Sequence, residues 1–374
     1  MKKQNVSVIL TIVSLLVLVV PAAEARPNNE HHSSNGAVYI MTNDPSGNSV
    51  LVYSRSADGP LTWAGTFATD GLGGVGLTGS NQGGLVLSAD AKSLLVVNAG
   101  SNDISAFRVN HGDLTLTDKA GSMGTFPISV TIHENVVYVL NAGGKEAAGN
   151  IAGFHLNDHG QLSPIPGSAR SLSGKTAPAQ ISFNPTGSVL VVAEKSTSLI
   201  DIYTVDPNGI ATGPTTHSSS GATPFGFAID KKGQLIVSEA AGGPSGTSAV
   251  SSYSLSNKGD LSTVSGSIPD TQMAACWLVV TGNSRYAYTA NAHSGTISSY
   301  SIASSGEITL LQAVAANTGA GNLDLALTRN SGFLYNFINA SHTIEGFSVH
   351  SDGSLTLIDT LTGIPPGADG LAAN

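Results

Sequence analysis

The chain has 374 residues, of which 41% are hydrophobic and 11% charged, with 44 glycines and a formal charge of −9. Glycine is thus about 12% of the chain against a usual share of about 7%, which fits many short strands joined by tight turns and excludes a charged helical protein. An acidic body without basic clusters has no electrostatic means of holding nucleic acid, an anionic membrane surface or a phosphorylated substrate.

The N-terminus reads as an export leader. Lys2 and Lys3 precede an apolar run from Val6 to Val20, followed by Ala23-Glu24-Ala25, the three parts of a signal peptide. The run is shorter than the roughly 20 residues a spanning helix needs, so no transmembrane anchor is expected. Cleavage after Ala25 starts the mature chain at Arg26 and leaves it in a periplasm or outside the cell. Cys276 is the only cysteine, so no disulfide within the chain can stabilise the exported body. Residues 26–35 are polar and aperiodic, a lead-in whose His31-His32 pair has no further ligand beside it; no metal and no cofactor are expected.

From Gly36 onward one unit repeats. An aromatic anchor falls at Tyr53, Phe107, Phe154, Tyr203, Tyr253, Tyr300 and Phe347. The clearest copy, Arg285 to Ile308, shows a strand at Tyr286–Ala290, a loop beginning at Asn291, a second strand at Thr296–Ile302 and a turn closed by Gly306, which is a hairpin pattern. A period of nearly fifty residues with strands in every copy predicts an all-β, seven-bladed β-propeller of four-stranded antiparallel blades. Residues 36–374 then form one domain. The apolar runs Leu94–Val97, Val137–Leu140, Val189–Val192 and Leu235–Val237 predict strands buried on both faces, since each blade lies between two others.

About ten residues before each apolar run stands another strand-like segment, such as Phe126–Ile132, Ala177–Phe183 or Thr223–Ile229. These are assigned as innermost strands, and proline at their start is tolerated because the ladder has not begun. The first repeat has no such segment, whereas the chain ends in one, from Pro366 to Ala373. The C-terminal strand is therefore expected to complete the first blade and close the ring.

Antiparallel strands bring the end of each second strand and the start of each inner strand to one face of the disc, where a ligand site is sought. The second strands are read as ending at Asn43, Asn98, Asn141, Glu194, Glu239, Asn291 and Asn339, with the amides as structural turn residues. Glu194 and Glu239 break the pattern. They are candidate general bases, or holders of a hard cation, at a shared mouth, or else two solvated or locally paired acids on a loop-rich rim. Gln180, Phe225, Trp277, His293 and Asp324 fall on the same face as candidate ligand contacts. Phe225 and Trp277 would either wall a ligand or pack a core. Cys276 reads as a small buried hydrophobe, with no histidine beside it in sequence to activate it.

The signature Tyr286-Ala287-Tyr288-Thr289-Ala290-Asn291 followed by Ser294-Gly295-Thr296-Ile297, with the Phe/Tyr-x-Val/Leu-x-x-x-Gly-x-Leu ending, resembles the seven-bladed lactonase family over essentially residues 36–374. That family includes a bacterial 6-phosphogluconolactonase and fungal carboxymuconate-lactonising enzymes. The fragments Thr223–Gly243 and Asp270–Asn291 look like an exported bacterial branch of it. The resemblance implies a His-Pro-His segment where this chain has Ala177-Pro178-Ala179, and an Arg-His pair where it has Cys276-Trp277. An acid remains at Glu194, but the cationic half of a lactone-opening apparatus is missing from those positions.

Two readings stay open. One is an exported hydrolase using Glu194 or Glu239 toward a small unphosphorylated lactone; the other is a non-catalytic propeller binding a sugar, peptide or envelope component on the same face. Either is expected to work as a monomer.

Overall fold

A computed structural model describes residues 35–374 apart from 111, 146, 147, 174, 175 and 244; the leader and the His31-His32 pair lie outside the described residues. Among the described residues, twenty-nine strands form seven antiparallel sheets. Blade 1 takes its inner strand, Asp369–Ala373, from the C-terminus and its other three, Gly36–Met41, Ser49–Arg55 and Leu61–Ala68, from the N-terminal end of the domain. Blades 2 to 7 follow in chain order, with inner strands Leu85–Leu87, Pro127–His133, Pro178–Phe183, Pro224–Ile229, Ala275–Val280 and Asn322–Leu327. Each inner strand touches the next around the whole circle, so the ring is closed.

Burial on both faces decides the sequence of the inner and second strands. In blade 4 the second strand Val189–Glu194 is buried throughout. Leu190 and Val192 join the core toward blade 3, while Val189, Val191 and Ala193 join the one shared with blade 5. The outer strand Ala211–Ser218 has only one blade-facing side and is mostly exposed, the expected alternation of an edge. The seven anchors are all buried, at 0–5% exposure. Tyrosines of the second strands then tie blades together: Tyr138 donates to the Gly209 carbonyl at 2.8 Å, Tyr288 to Gly353 at 3.0 Å and Tyr335 to Gly59 at 2.6 Å.

Two details depart from the repeat pattern. In blade 3 the outer position is split between Leu162–Pro164 and Arg170–Ser171, because Pro164 and Pro166 cannot donate to a ladder. The pairing also corrects the second-strand ends. Asn98, Asn141, Glu194, Glu239 and Asn291 occupy one equivalent position, but in blades 1 and 7 that position belongs to Thr42 and Ile338. Asn43 and Asn339 lie one residue farther on, and Asn43 has turned out of the strand with φ 49°.

Candidate functional site

The inner strands enter the ring through a shared irregularity. Each of the five from blade 3 to blade 7 carries a register shift within its first residues, and Cys276 and Asp324 sit in two of these bulges. The residue just before the strand has positive φ at Phe126, Ala177, Thr223 and Ala274. Bulges and left-handed non-glycine residues re-aim side chains at the mouth of a barrel or ring.

The axis itself is filled by residues 79–84, the approach to the short inner strand of blade 2. Asn81 donates its amide to the Ile128 carbonyl at 2.6 Å, and the Trp277 indole donates to the Asn81 carbonyl at 2.8 Å. The Gln82 amide grips the Leu278 peptide at both ends, donating to its carbonyl at 2.8 Å and accepting from its N–H at 3.1 Å. The Gln82 N–H reaches the Ala179 carbonyl. One hexapeptide therefore bonds blades 3, 4 and 6 across the centre. It fits only because Gly226 has no side chain: a Cβ there would stand 2.6 Å from the Cys276 carbonyl and closer still to the Gln82 amide.

Above this plug, on the face where second strands end and inner strands begin, lies a cleft of about 600 Å³ over blades 4 to 7. Its walls are apolar. Phe225 and Trp277 meet with ring centroids 5.1 Å apart and a tilt of 57°, and Leu323 and Ala274 also line the cleft. Three side chains lining it can exchange protons: Lys195, Cys276 and His293. Lys195 stands 4.8 Å from the centre of the Phe225 ring and donates to the Ser80 carbonyl of the plug. Burial lowers its ammonium from the usual lysine range to about 8, against a smaller opposing pull from Cys276 and Asp369. Burial pushes the Cys276 thiol up to about 12, which leaves a neutral thiol rather than a nucleophile. His293 lies exposed at the rim.

Of the residues singled out from the sequence, the cleft brings together Phe225, Trp277 and His293. Gln180 is turned into the ring, where it grips the Phe227 peptide as Gln82 grips that of Leu278, at 3.0 and 2.8 Å. Asp324 is buried and accepts from the Leu325 and Leu371 N–H groups at 2.8 and 2.9 Å, tying blade 7 to the C-terminal strand. Burial pushes its carboxyl up to about 7.

Glu194 and Glu239 do not converge on the cleft. The strand period sends each side chain to the face that packs on the preceding blade. Glu239 accepts from the Gly221 N–H at 2.7 Å, from Ser251 at 2.6 Å and from Ser219 and Ser267. Glu194 accepts from Thr197 at 2.7 Å and Ser173 at 3.4 Å. Both are almost wholly inaccessible. Among the described residues no group of three or more His, Cys, Asp or Glu side chains is placed to hold a metal ion.

Lys195 is the cleft residue that reading the sequence missed, although the repeat carries a signal for it. The residue after the second strand is Ala99, Ala142, Ala240 and Ala292 in four other blades. Only blade 4 puts a long cation there. One step in register separates it from Glu194, so the two neighbours point to opposite sides.

The model of the family described as lactonase, 7-bladed beta-propeller matches residues 30–169, 145–242 and 237–325. Solved structures share the architecture at low identity. A candidate 6-phosphogluconolactonase from Bacteroides fragilis is 18% identical with TM-score 0.68, covering 93% of this chain and 100% of its own. A periplasmic gluconolactonase from Pseudomonas aeruginosa is 14% identical with TM-score 0.69, and a candidate 6-phosphogluconolactonase from Bacteroides uniformis 15% with 0.70; each covers 89% of this chain and 98% of its own. No curated protein matches the chain.

Proposed function

Because the chain belongs to the seven-bladed β-propeller lactonase family, we propose that it opens a small, unphosphorylated lactone held against the wall formed by Phe225 and Trp277, with the ring carbonyl turned toward Lys195. The observation that carries this reading is the lysine set into an otherwise apolar cleft against the Phe225 ring. An apolar wall with one partly buried cation suits an uncharged ring whose carbonyl oxygen gains negative charge as water attacks. Lys195 stabilises that oxyanion as its ammonium, and His293, at the rim of the same cleft, takes the proton from the attacking water. The ring C–O bond then breaks and the leaving alkoxide recovers a proton, giving the open hydroxy acid. The glutamates expected from the sequence to act as bases are engaged between blades, so their proposed part is to hold the strand ends. Export is part of the proposal: residues 1–25 read as a leader, and one structure of similar fold is a periplasmic gluconolactonase.

Hydrolysis of sugar and aromatic lactones, with and without a phosphate, tests the reading. Lys195→Met is expected to lower kcat/KM by about 100-fold or more, the usual loss when an oxyanion donor is removed. Wild-type activity is expected to fall as pH rises through about 8, where Lys195 loses its proton. Glu194→Gln and Glu239→Gln should lower stability ahead of turnover. Turnover unchanged in Lys195→Met would remove the assignment. Turnover abolished by a glutamate substitution with an unchanged melting temperature would return proton transfer to that carboxylate.

A second reading, capture of a sugar, peptide or envelope component without turnover, is favoured by the engagement of both glutamates between blades, turned away from the cleft. It would appear as saturable quenching of Trp277 fluorescence with no ring opening.

A further inference from the structure

Comparison of the blades with one another isolates a second polar site. In blade 2 the Asn98 amide donates to Ser105 at 2.8 Å, in blade 6 Asn291 donates to Ser298 at 2.8 Å, and in blade 5 Ser251 donates to Glu239 at 2.6 Å. Each is a donor–acceptor pair between the end of the second strand and the third residue of the next strand. In register, the blade 4 counterparts are Glu194 and Asp201. There an acceptor faces an acceptor.

Both carboxylates are 0% exposed. Neither oxygen of Asp201 accepts a well-formed hydrogen bond, nor does Glu194 Oε1. The Tyr203 hydroxyl, buried at 0% exposure, also has no partner. Its blade 5 equivalent, Tyr253, stands 3.0 Å from Ser251, the residue in Asp201's place, and the charges of Asp201 and Glu194 both act on Tyr203. Arg170 also acts on Tyr203 through its charge, but gives its guanidinium Nη1 to the Gly167 and Ala169 carbonyls. Burial, then the charge of Glu194 and its side-chain contact, push the Asp201 carboxyl up to about 7, against a smaller lowering by the hydroxyl of Thr216, which faces it across the ladder.

Two buried carboxylates without a donor between them need a positive partner. A single shared proton bridges one pair of oxygens and leaves the others bare. A hard divalent cation draws on all of them and neutralises both charges. We propose that blade 4 binds an oxygen-ligated divalent cation of the calcium type between Glu194 and Asp201, with the Tyr203 oxygen beside it. The hydroxyls of Thr197 and Ser173, already on Glu194 and exposed at the top of the blade, lie on the route in and supply further oxygens. The site is separate from the cleft, since Lys195 leaves the strand on the opposite side. A cation there fixes the strand end from which Lys195 projects.

The test uses the full exported chain, stripped with chelator, and Ca²⁺ as the probe. Calorimetric titration is expected to show one equivalent bound. The melting temperature should rise by roughly 3–6 °C at a hundredfold excess over the dissociation constant. Asp201→Ser installs the serine of blades 2, 5 and 6. It is expected to fold, to melt without metal at or above the wild-type temperature, and to show neither binding nor a shift. If the wild type takes up no Ca²⁺ or Mg²⁺ at millimolar concentration and its melting is the same in chelator, the pair shares a proton instead and the proposal fails. It also fails if Asp201→Ser binds Ca²⁺ as the wild type does.

Discussion

Asp324 shows how one side chain serves the ring and sets its response to pH. Its φ of 58° turns the carboxylate back so that it accepts from its own neighbour, Leu325, and from Leu371 of the C-terminal strand. Asp369, on that same strand, is also raised well above the usual range, by burial and then by the Asp324 charge. A carboxyl whose value is raised in the folded state contributes stability below its ordinary value near 4, and that contribution is lost as pH rises through the folded value. For Asp324 the window runs from about 4 to about 7, at up to about 1.4 kcal/mol per pH unit. Melting temperature is therefore expected to be higher at pH 5 than at pH 7.5. Asp324→Asn keeps an acceptor oxygen and removes the titration, so the difference should shrink in scans of that variant. Lys195 acts in the other direction and in another window: its folded value is lowered to about 8, so its penalty is relieved only as pH rises from there toward 10.5.

At the level of elements, the plug at residues 79–84 had no counterpart in the repeat pattern. The other inner strands announce themselves by a proline or a small residue followed by an apolar run, but the inner strand of blade 2 is only Leu85–Leu87. What precedes it is glycine-rich and polar, with the composition of an ordinary loop. Its role appears only when Gln82 is seen against Leu278, 196 residues away. Gln82→Ala would leave the Leu278 N–H and C=O buried without partners, at about 1–3 kcal/mol for each. We expect the denaturant midpoint to fall without a change in slope, together with faster hydrogen exchange at the Leu278 amide. Protection at Leu278 equal to the wild type would show that the plug is held by other contacts.

Ring closure is a property of the whole molecule. The C-terminal strand pairs Val38 with Ala373, Tyr39 with Ala372 and Ile40 with Leu371. Asn374 locks the join, its side chain accepting from the Ala37 N–H at 2.6 Å and its own N–H donating to the Ala37 carbonyl. A chain ending at Ala368 would leave Gly36–Met41 as a wet edge next to an unfilled place at the axis, where Leu371 and Asp369 face blades 7 and 2. Its melting transition is expected to drop and broaden, with association through the bare edge visible by size-exclusion chromatography. An unchanged transition would mean that closure is not what holds the disc together.

By itself the sequence determined the blade number, the inner-strand segments after the second blade and the closing role of the C-terminal segment from Pro366 to Ala373, within which the strand runs from Asp369. All of these follow from local periodicity repeated seven times, in which each copy reports the same burial. Phe225, Trp277 and His293, placed on one face by their position in the repeat, line the same cleft. Tertiary structure alone decided the direction of Glu194 and Glu239, the engagement of Gln180 and Asp324 within the ring, the plug at the axis and the presence of Lys195 in the cleft. The physical reason is that a side chain's face depends on strand register, and a one-residue step reverses it. Groups that meet at the axis come from blades far apart in the chain, and no local pattern records that meeting.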